Sequence, residues 1–197
     1  MDNGNYENAS LEFYHKLVTD LKSTSDKPGP KFDTKEELFD LMHTKYLCNG
    51  LSSLKKIPSS SVDFIFSQAV LEHVFRDEFE AIMSEFWRIL KPSGLMSHVF
   101  DFKDHIESSL NNLRFSSSFW ESGLVRKSLA YTNRFRPSEI VDLISKSGFE
   151  QVSEDRDRWE KLPLEISKFH KDFKKFSSDD FLTNGMTLVS RKPSSLA

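Results

Sequence analysis

Between residues 98 and 134 the chain gathers side chains able to do chemistry: His98, Asp101, Asp104 and His105, then Asn111, Asn112 and Arg114, and finally Tyr131, Thr132, Asn133 and Arg134. Imidazole titrates close to neutral pH, so His98 or His105 suits a general base. A guanidinium presents a planar fork of donors, so Arg114 or Arg134 suits an anion clamp. Asn112 and Asn133 add amide donors and acceptors beside them, and Phe115 and Trp120 supply an apolar wall. A structural reading stands beside each functional one. Either histidine can be a hydrogen-bonded group at a strand end, the asparagines can satisfy loop backbone, and the arginines can pair with Asp101, Asp104 or Glu121. The spacing of His98, Asp101 and His105 matches no known metal triad, so no metal site is assigned.

These residues need a scaffold. Leu11, Tyr14, Leu17, Val18 and Leu21 recur at helical spacing. Pro and Gly in Ser23–Pro30 predict a loop, and Asp33 or Thr34 can cap a second helix with Leu38, Leu41 and Met42 on its apolar face. Tyr46–Cys48 and Val62–Phe66 read as strands, with Cys48 as a small buried residue and Phe64 in the sheet core. From Asp77 a one-sided stripe of Phe79, Ile82, Met83, Phe86 and Leu90 predicts a long helix, stopped by Lys91-Pro92-Ser93-Gly94. Leu95–Phe100 follows as a strand. Residues 101–135 lack periodicity and read as loops with a short helix. Pro137 suits the first turn of a further helix that stops at Gly148. Phe149–Val152 and Gly185–Ser190 read as strands that could pair antiparallel, with a helical stretch over 163–176 between them. The start, residues 1–10, and the tail from Lys192 read as loose. Helices alternating with strands predict one α/β domain with a largely parallel sheet.

Composition narrows the function. The 197 residues include 38% hydrophobic and 13% aromatic positions, 18 of them Phe, enough for a core. Lys and Arg number 27 against 30 Asp and Glu, a formal net charge of -3, so no basic field exists for nucleic acid. The single cysteine, Cys48, excludes an intrachain disulfide. No apolar run approaches a membrane span, and the first twenty residues do not read as a signal peptide. The expectation is a cytoplasmic protein with no nucleic-acid or membrane partner.

One stretch is more specific. From Ile57 the chain reads IPSSSVDFIFSQAVLEHV, then a helix, then FWRILKPSGLMSHVF. Ile57-Pro58, the strand Val62–Ser67, Leu71-Glu72-His73 and Arg88-Ile89-Leu90-Lys91-Pro92-Ser93-Gly94 resemble the motifs of the second half of a class I S-adenosylmethionine-dependent methyltransferase domain, of the methyltransferase type 11 kind. Ser93 departs from that pattern, where the family usually has glycine. The resemblance covers residues 46–100 well and 136–190 in outline. It implies a Rossmann-like α/β fold, here incomplete: a mostly parallel sheet with helices on both faces and an antiparallel strand at the edge. It also implies S-adenosylmethionine as cofactor and a small-molecule methyl acceptor as substrate. Asn49 would face the adenine. Ser67, Gln68 and Ala69 would line the methionine and methyl end, with His73 at the start of the next element. The region after the strand at 95–100 would build the acceptor pocket from His98, His105, Asn112, Arg114, Asn133 and Arg134.

The family's first strand and its glycine loop, E/D-x-G-x-G-x-G, have no counterpart here. Before Gly29 the only glycine is Gly4. The chain therefore reads as a partial domain: a helical segment over 1–45, core motifs over 46–100, the acceptor region over 101–135, and a helix with edge strands over 136–197. Without the first strand, Val62–Phe66 becomes an apolar sheet edge through which the chain could form an oligomer. The alternative to an enzyme is a non-catalytic remnant or partner subunit that does not bind cofactor alone.

Overall fold

The computed structural model describes residues 10–22 and 31–194. Residues 1–9, the loop read over 23–30 and the last three residues of the tail lie outside the described residues. The chain divides into two compact units, Met1–Lys56 and Ile57–Ala197, and the division falls within the stretch read as core motifs. No described helix is long and apolar enough to cross a membrane.

The first unit contains α1 (Leu11–Lys22), α2 (Lys35–Leu41) and α3 (Gly50–Leu54). Thr34 caps α2 as expected. Its hydroxyl accepts from the Glu37 amide at 3.1 Å while the Glu37 carboxylate accepts from the Thr34 amide, a reciprocal box that satisfies two otherwise open donors. Leu38 and Phe32 are buried, but Leu41 and Met42 are exposed, so the expected apolar face of α2 is one residue wide. Tyr46–Cys48 forms no strand. Among the described residues no other strand in this unit offers it a ladder, and a lone strand leaves its backbone unpaired. Cys48 is accordingly exposed rather than buried.

The second unit holds β1 (Val62–Gln68), α4 (Arg76–Ile89), β2 (Leu90–Asp101), α5 (Ser117–Trp120), α6 (Gly123–Arg126), α7 (Pro137–Lys146), β3 (Glu150–Arg158), α8 (Ser178–Leu182) and β4 (Thr183–Arg191). The sheet order is β1-β2-β4-β3. The α/β, Rossmann-like reading holds, but the pairing is not mostly parallel. Only β1 and β2 pair parallel, whereas β4 runs antiparallel to both β2 and β3. Three strands share one direction, and the reversed β4 inserts between two of them. The expected antiparallel pairing of the last two strands is present. The helix read over 163–176 is instead two short 3-10 turns, Ile166–Lys168 and Lys171–Phe173. Their aromatic residues Phe169 and Phe173 pack with Leu110, Leu113 and Phe181.

Strand register sorts the side chains. Ile65 and Ser67 share a face with Met96, His98 and Phe100 and with Ser190, Leu188 and Met186. The apolar stripe of α4 covers this face, Phe86 lying flat against His98 at 5.7 Å. The opposite face carries Phe64 and Phe66, 50% and 73% exposed, and Leu95. Within this unit α4 covers one face and not the other, so the helices on both faces expected from the sequence are not found here, and Phe64 is not a core residue. Between Leu90 and Leu95 the β2 backbone makes a wide bulge opposite Val62–Phe64. Ser93 there adopts φ +64°, and a Cβ on Gly94 would lie 2.8 Å from the Lys91 carbonyl oxygen. Lys192 belongs to this corner and is not loose: its amide donates to the Gly94 carbonyl, and its ammonium donates to the carbonyls of Trp87 and Leu90 at the end of α4.

Candidate functional site

The carboxyl ends of β1 and β2 meet a single 3-10 turn, Leu71–His73, and the loop over 111–135. Asn133 fastens the two together. Its amide side chain donates to the carbonyls of Leu71 and Val74 at 2.8 and 3.0 Å, and its backbone N–H donates to the Glu72 carbonyl at 2.7 Å. Its own side-chain oxygen accepts from the Phe135 amide. Every polar atom of that side chain is thereby used in holding the turn, which makes Asn133 a pin rather than a substrate ligand.

The turn presents Glu72 to a small cavity also lined by Phe100, Asp101, Phe102, Asn112, Thr132, Asn133, Arg134, Phe135 and Ile140. Its free space, about 10 Å³ for the centre of a water-sized sphere, is room for about one water. Glu72 is 5% exposed, and neither of its carboxyl oxygens has a hydrogen-bond partner. Burial pushes its pKa up to about 7; the main-chain N–H groups of Glu72 and Asp101 pull the other way without reaching hydrogen-bond geometry, and the Asp101 charge adds a smaller upward push. Asn112 donates from Nδ2 to Thr132 Oγ1 at 3.2 Å and leaves its Oδ1 unpartnered. Glu72 belongs to the Leu71-Glu72-His73 motif, yet only its burial marks it as a site residue, and no local pattern carries that signal.

His98 lies inside the sheet layer with no exposed surface. The Ser67 hydroxyl and His98 Nδ1 share a hydrogen bond of 2.7 Å, and Nε2 has no partner. Burial holds its pKa down to about 4, so the ring is neutral. A ring enclosed by Phe86 and Phe100 presents no atom to an acceptor, so the general-base role expected for His98 does not fit this placement. The structure does bring His73 and His105 together, ring centroids 4.8 Å apart. His73 Nδ1 lies 3.3 Å from the Tyr131 carbonyl. Burial and the neighbouring His105 lower the His73 pKa, while His105 itself is exposed.

The anion-clamp role expected for Arg134 does not fit its placement. Its guanidinium lies between Trp120 and Phe173, with centroids 4.9 and 4.8 Å away, and donates to the carbonyls of Asn112, Phe115 and Ser116. Burial lowers its pKa to about 10, which leaves it charged. Arg136 serves a second set of carbonyls in the same way, those of Phe102, Asp180 and Thr183. Neither Arg134 nor Arg114 pairs with Asp101, Asp104 or Glu121: Arg114 is exposed, and Asp104 accepts from the amides of Ile106, Glu107 and Asn111 to close its own loop.

On the cofactor side, Ser67 is half-buried against His98, while Gln68 and Ala69 are exposed. Ala69 turns the chain at φ +50°, its amide donating to the Val99 carbonyl at 2.9 Å. Asn49 belongs to the first unit, where its amide donates to Ser53 Oγ at 3.0 Å at the start of α3. Among the described residues no group of three or more His, Cys, Asp or Glu side chains is placed to hold a metal ion. A larger groove of about 300 Å³, lined by Arg76, Phe79, Glu80, Phe135, Glu139, Asp142 and Leu143, contains none of the residues expected from the sequence. Arg76 already spans it, stacked 3.8 Å over Phe135 and paired with Glu139, so it reads as a surface furrow between α4 and α7.

Residues 10–97 match the family described as a methyltransferase domain. No curated protein matches the chain. Among solved structures, a SAM-dependent methyltransferase from Methanosarcina mazei is similar at 17% identity, over 91% of this chain and 79% of that one, with a TM-score of 0.46. One from Archaeoglobus fulgidus is similar at 12% identity over 88% and 80%, also at 0.46. Phosphoethanolamine N-methyltransferase 2 of Haemonchus contortus, solved with S-adenosyl-L-methionine, is similar at 20% identity over 70% and 35%, at 0.40. The motifs from Ile57 to Ser97 lie inside the matched segment, and on that match the resemblance to the class I S-adenosylmethionine-dependent methyltransferases stands.

Proposed function

We propose that the chain takes part in methyl transfer from S-adenosylmethionine to a small-molecule acceptor. The family match over residues 10–97 carries this reading. The residues at the carboxyl end of β1 fit the amino-acid end of such a donor. Gln68 offers an exposed amide, and the turn at Ala69 leaves the chain open where ligands of α/β sheets bind. When bound, the donor would supply an electrophilic methyl on a sulfonium, and the protein's part is to position the acceptor in line with it. The acceptor side falls to the turn Leu71–His73 and the loop that Asn133 pins to it, with His105 beside His73 at the exposed rim. Calorimetric titration of the purified chain with S-adenosylhomocysteine tests the reading. Saturable heat supports it, and no heat up to millimolar ligand overturns it for this polypeptide.

A second reading is a chain that keeps the fold but binds no cofactor alone. It is favoured by the sequence, which holds seven glycines and no E/D-x-G-x-G-x-G run, a loop whose missing side chains let backbone approach a nucleotide closely. The same titration separates the two. Saturable binding of S-adenosylhomocysteine would sink this second reading.

A further inference from the structure

We propose that the cavity walled by Glu72, Asn112 and Thr132 is a subsite for a protonated amine. Three buried oxygens there lack any hydrogen-bond donor: both carboxyl oxygens of Glu72 and Oδ1 of Asn112. Their positions are set from outside the cavity. Asn133 holds the Glu72 backbone, and Thr132 takes the other end of the Asn112 amide. Where Glu72 is ionised the wall consists of acceptors, and it selects for a group made of donors. An anion or a carbonyl would add a further acceptor, and a water has only two hydrogens to give. An ammonium head has three or four N–H donors and no acceptor, enough for all three oxygens. Its size suits a space of about 10 Å³.

Charge points the same way. The charged group that acts on Glu72 is Asp101, a carboxylate of the same sign. Arg134 also lines the cavity but directs its guanidinium between Trp120 and Phe173 onto loop carbonyls, so it does not neutralise Glu72. Phe100, Phe102 and Phe135 complete the lining, and aromatic faces attract a cation. A buried carboxylate without a counter-charge is costly, and a bound cation would remove that cost. That this amine, once it has passed a proton to the Glu72 carboxylate, is the methyl acceptor rests on the methyl-transfer reading; that it binds rests on the cavity alone.

The test is a thermal-stability titration of the full chain near pH 8 with ammonium chloride or methylammonium chloride, against potassium chloride and tetramethylammonium chloride at equal ionic strength. The expected result is a rise in Tm of a few degrees at saturation with ammonium and methylammonium only. That rise should vanish in Glu72→Gln and fall at least tenfold in apparent affinity in Glu72→Asp, which keeps the charge but withdraws it. Equal effects of all four salts, an equal effect of potassium, or an unchanged ammonium effect in either variant would overturn the proposal. If Glu72→Gln does not fold, Glu72→Asp decides alone. Failure here with intact S-adenosylhomocysteine binding would leave the methyl-transfer reading standing, and the reverse outcome would leave an amine site without it.

Discussion

Taking a carboxyl out of water without a hydrogen bond in return favours its protonated form. Glu72 accordingly keeps, up to about pH 7, a proton that the unfolded chain releases near 4.5. An acid whose pKa is raised by folding costs stability as pH climbs from the unfolded value through the folded one, with the cost complete above it. The shift corresponds to about 3 kcal/mol at most. Glu72→Gln should therefore be more stable than the parent at pH 8 by up to about 3 kcal/mol, with the difference gone by pH 4; urea denaturation at the two pH values measures it. A difference independent of pH would mean that the carboxyl is solvated. Arg134 makes a contrasting case, a charge whose terminal N–H groups donate to the carbonyls of Asn112, Phe115 and Ser116, with Nε left without a partner. Arg134→Met should cost about 3 kcal/mol of stability by stranding those carbonyls. A fully stable variant that lost only ligand binding would restore the anion-clamp role. In the sequence Glu72 was legible only as part of the Leu71-Glu72-His73 motif, and Arg134 as a candidate anion clamp in the region after the strand at 95–100. Which of them is satisfied depended on segments 59 to 62 residues apart joined by Asn133.

At the scale of elements, two corners of the sheet invite comparison. The bulge at Lys91–Gly94 places Ser93 at φ +64°, a conformation that costs a side-chain-bearing residue about 1 kcal/mol or more. The Ser93 amide bonds the Lys192 carbonyl, and glycine would keep that bond. Ser93→Gly should raise stability by about 1 kcal/mol, reduced somewhat by the extra freedom of the unfolded chain; guanidinium midpoints of the two proteins measure it. The two edge strands also differ. β3 is laced with charge, Arg156 pairing with Glu154 and Asp179, which discourages edge-to-edge pairing. β1 instead shows Phe64 and Phe66 stacked at 6.1 Å on an open face. Phe64→Asp should leave the protein folded within about 1 kcal/mol of the parent, whereas Phe100→Ala on the covered face should cost about 3 to 5. Circular dichroism with thermal melts distinguishes the two; unfolded Phe64→Asp protein would show that this face is covered in solution.

Across the whole molecule, burial is unevenly shared between the units. Of the residues before Ile57 whose burial is described, Phe32, Leu38 and Ser53 are buried, whereas the second unit encloses Phe79, Met83, Met96, Phe100, Ile140 and Met186 among many others. Local opening costs least where few apolar contacts are broken. Amides of α1 and α2 should therefore exchange with solvent deuterium well before those of β2 and β4, which hydrogen-exchange mass spectrometry resolves by peptide. Equal protection in both units would refute this.

What the sequence determined by itself is local. The stripe of α4, the Thr34 box, Pro137 at the first turn of α7, the stop at Gly148 and the motif run from Ile57 to Ser97 each depend on residues a few positions apart, so their physics is complete within a short window. The tertiary structure decided which groups lose water. It enclosed His98 behind Phe86, put Asp101 rather than a cation beside Glu72, committed Arg134 and Arg136 to carbonyls, left Phe64 on an open face and gave Tyr46–Cys48 no partner strand. Desolvation is imposed by neighbours distant along the chain, and no spacing of residues records who those neighbours will be.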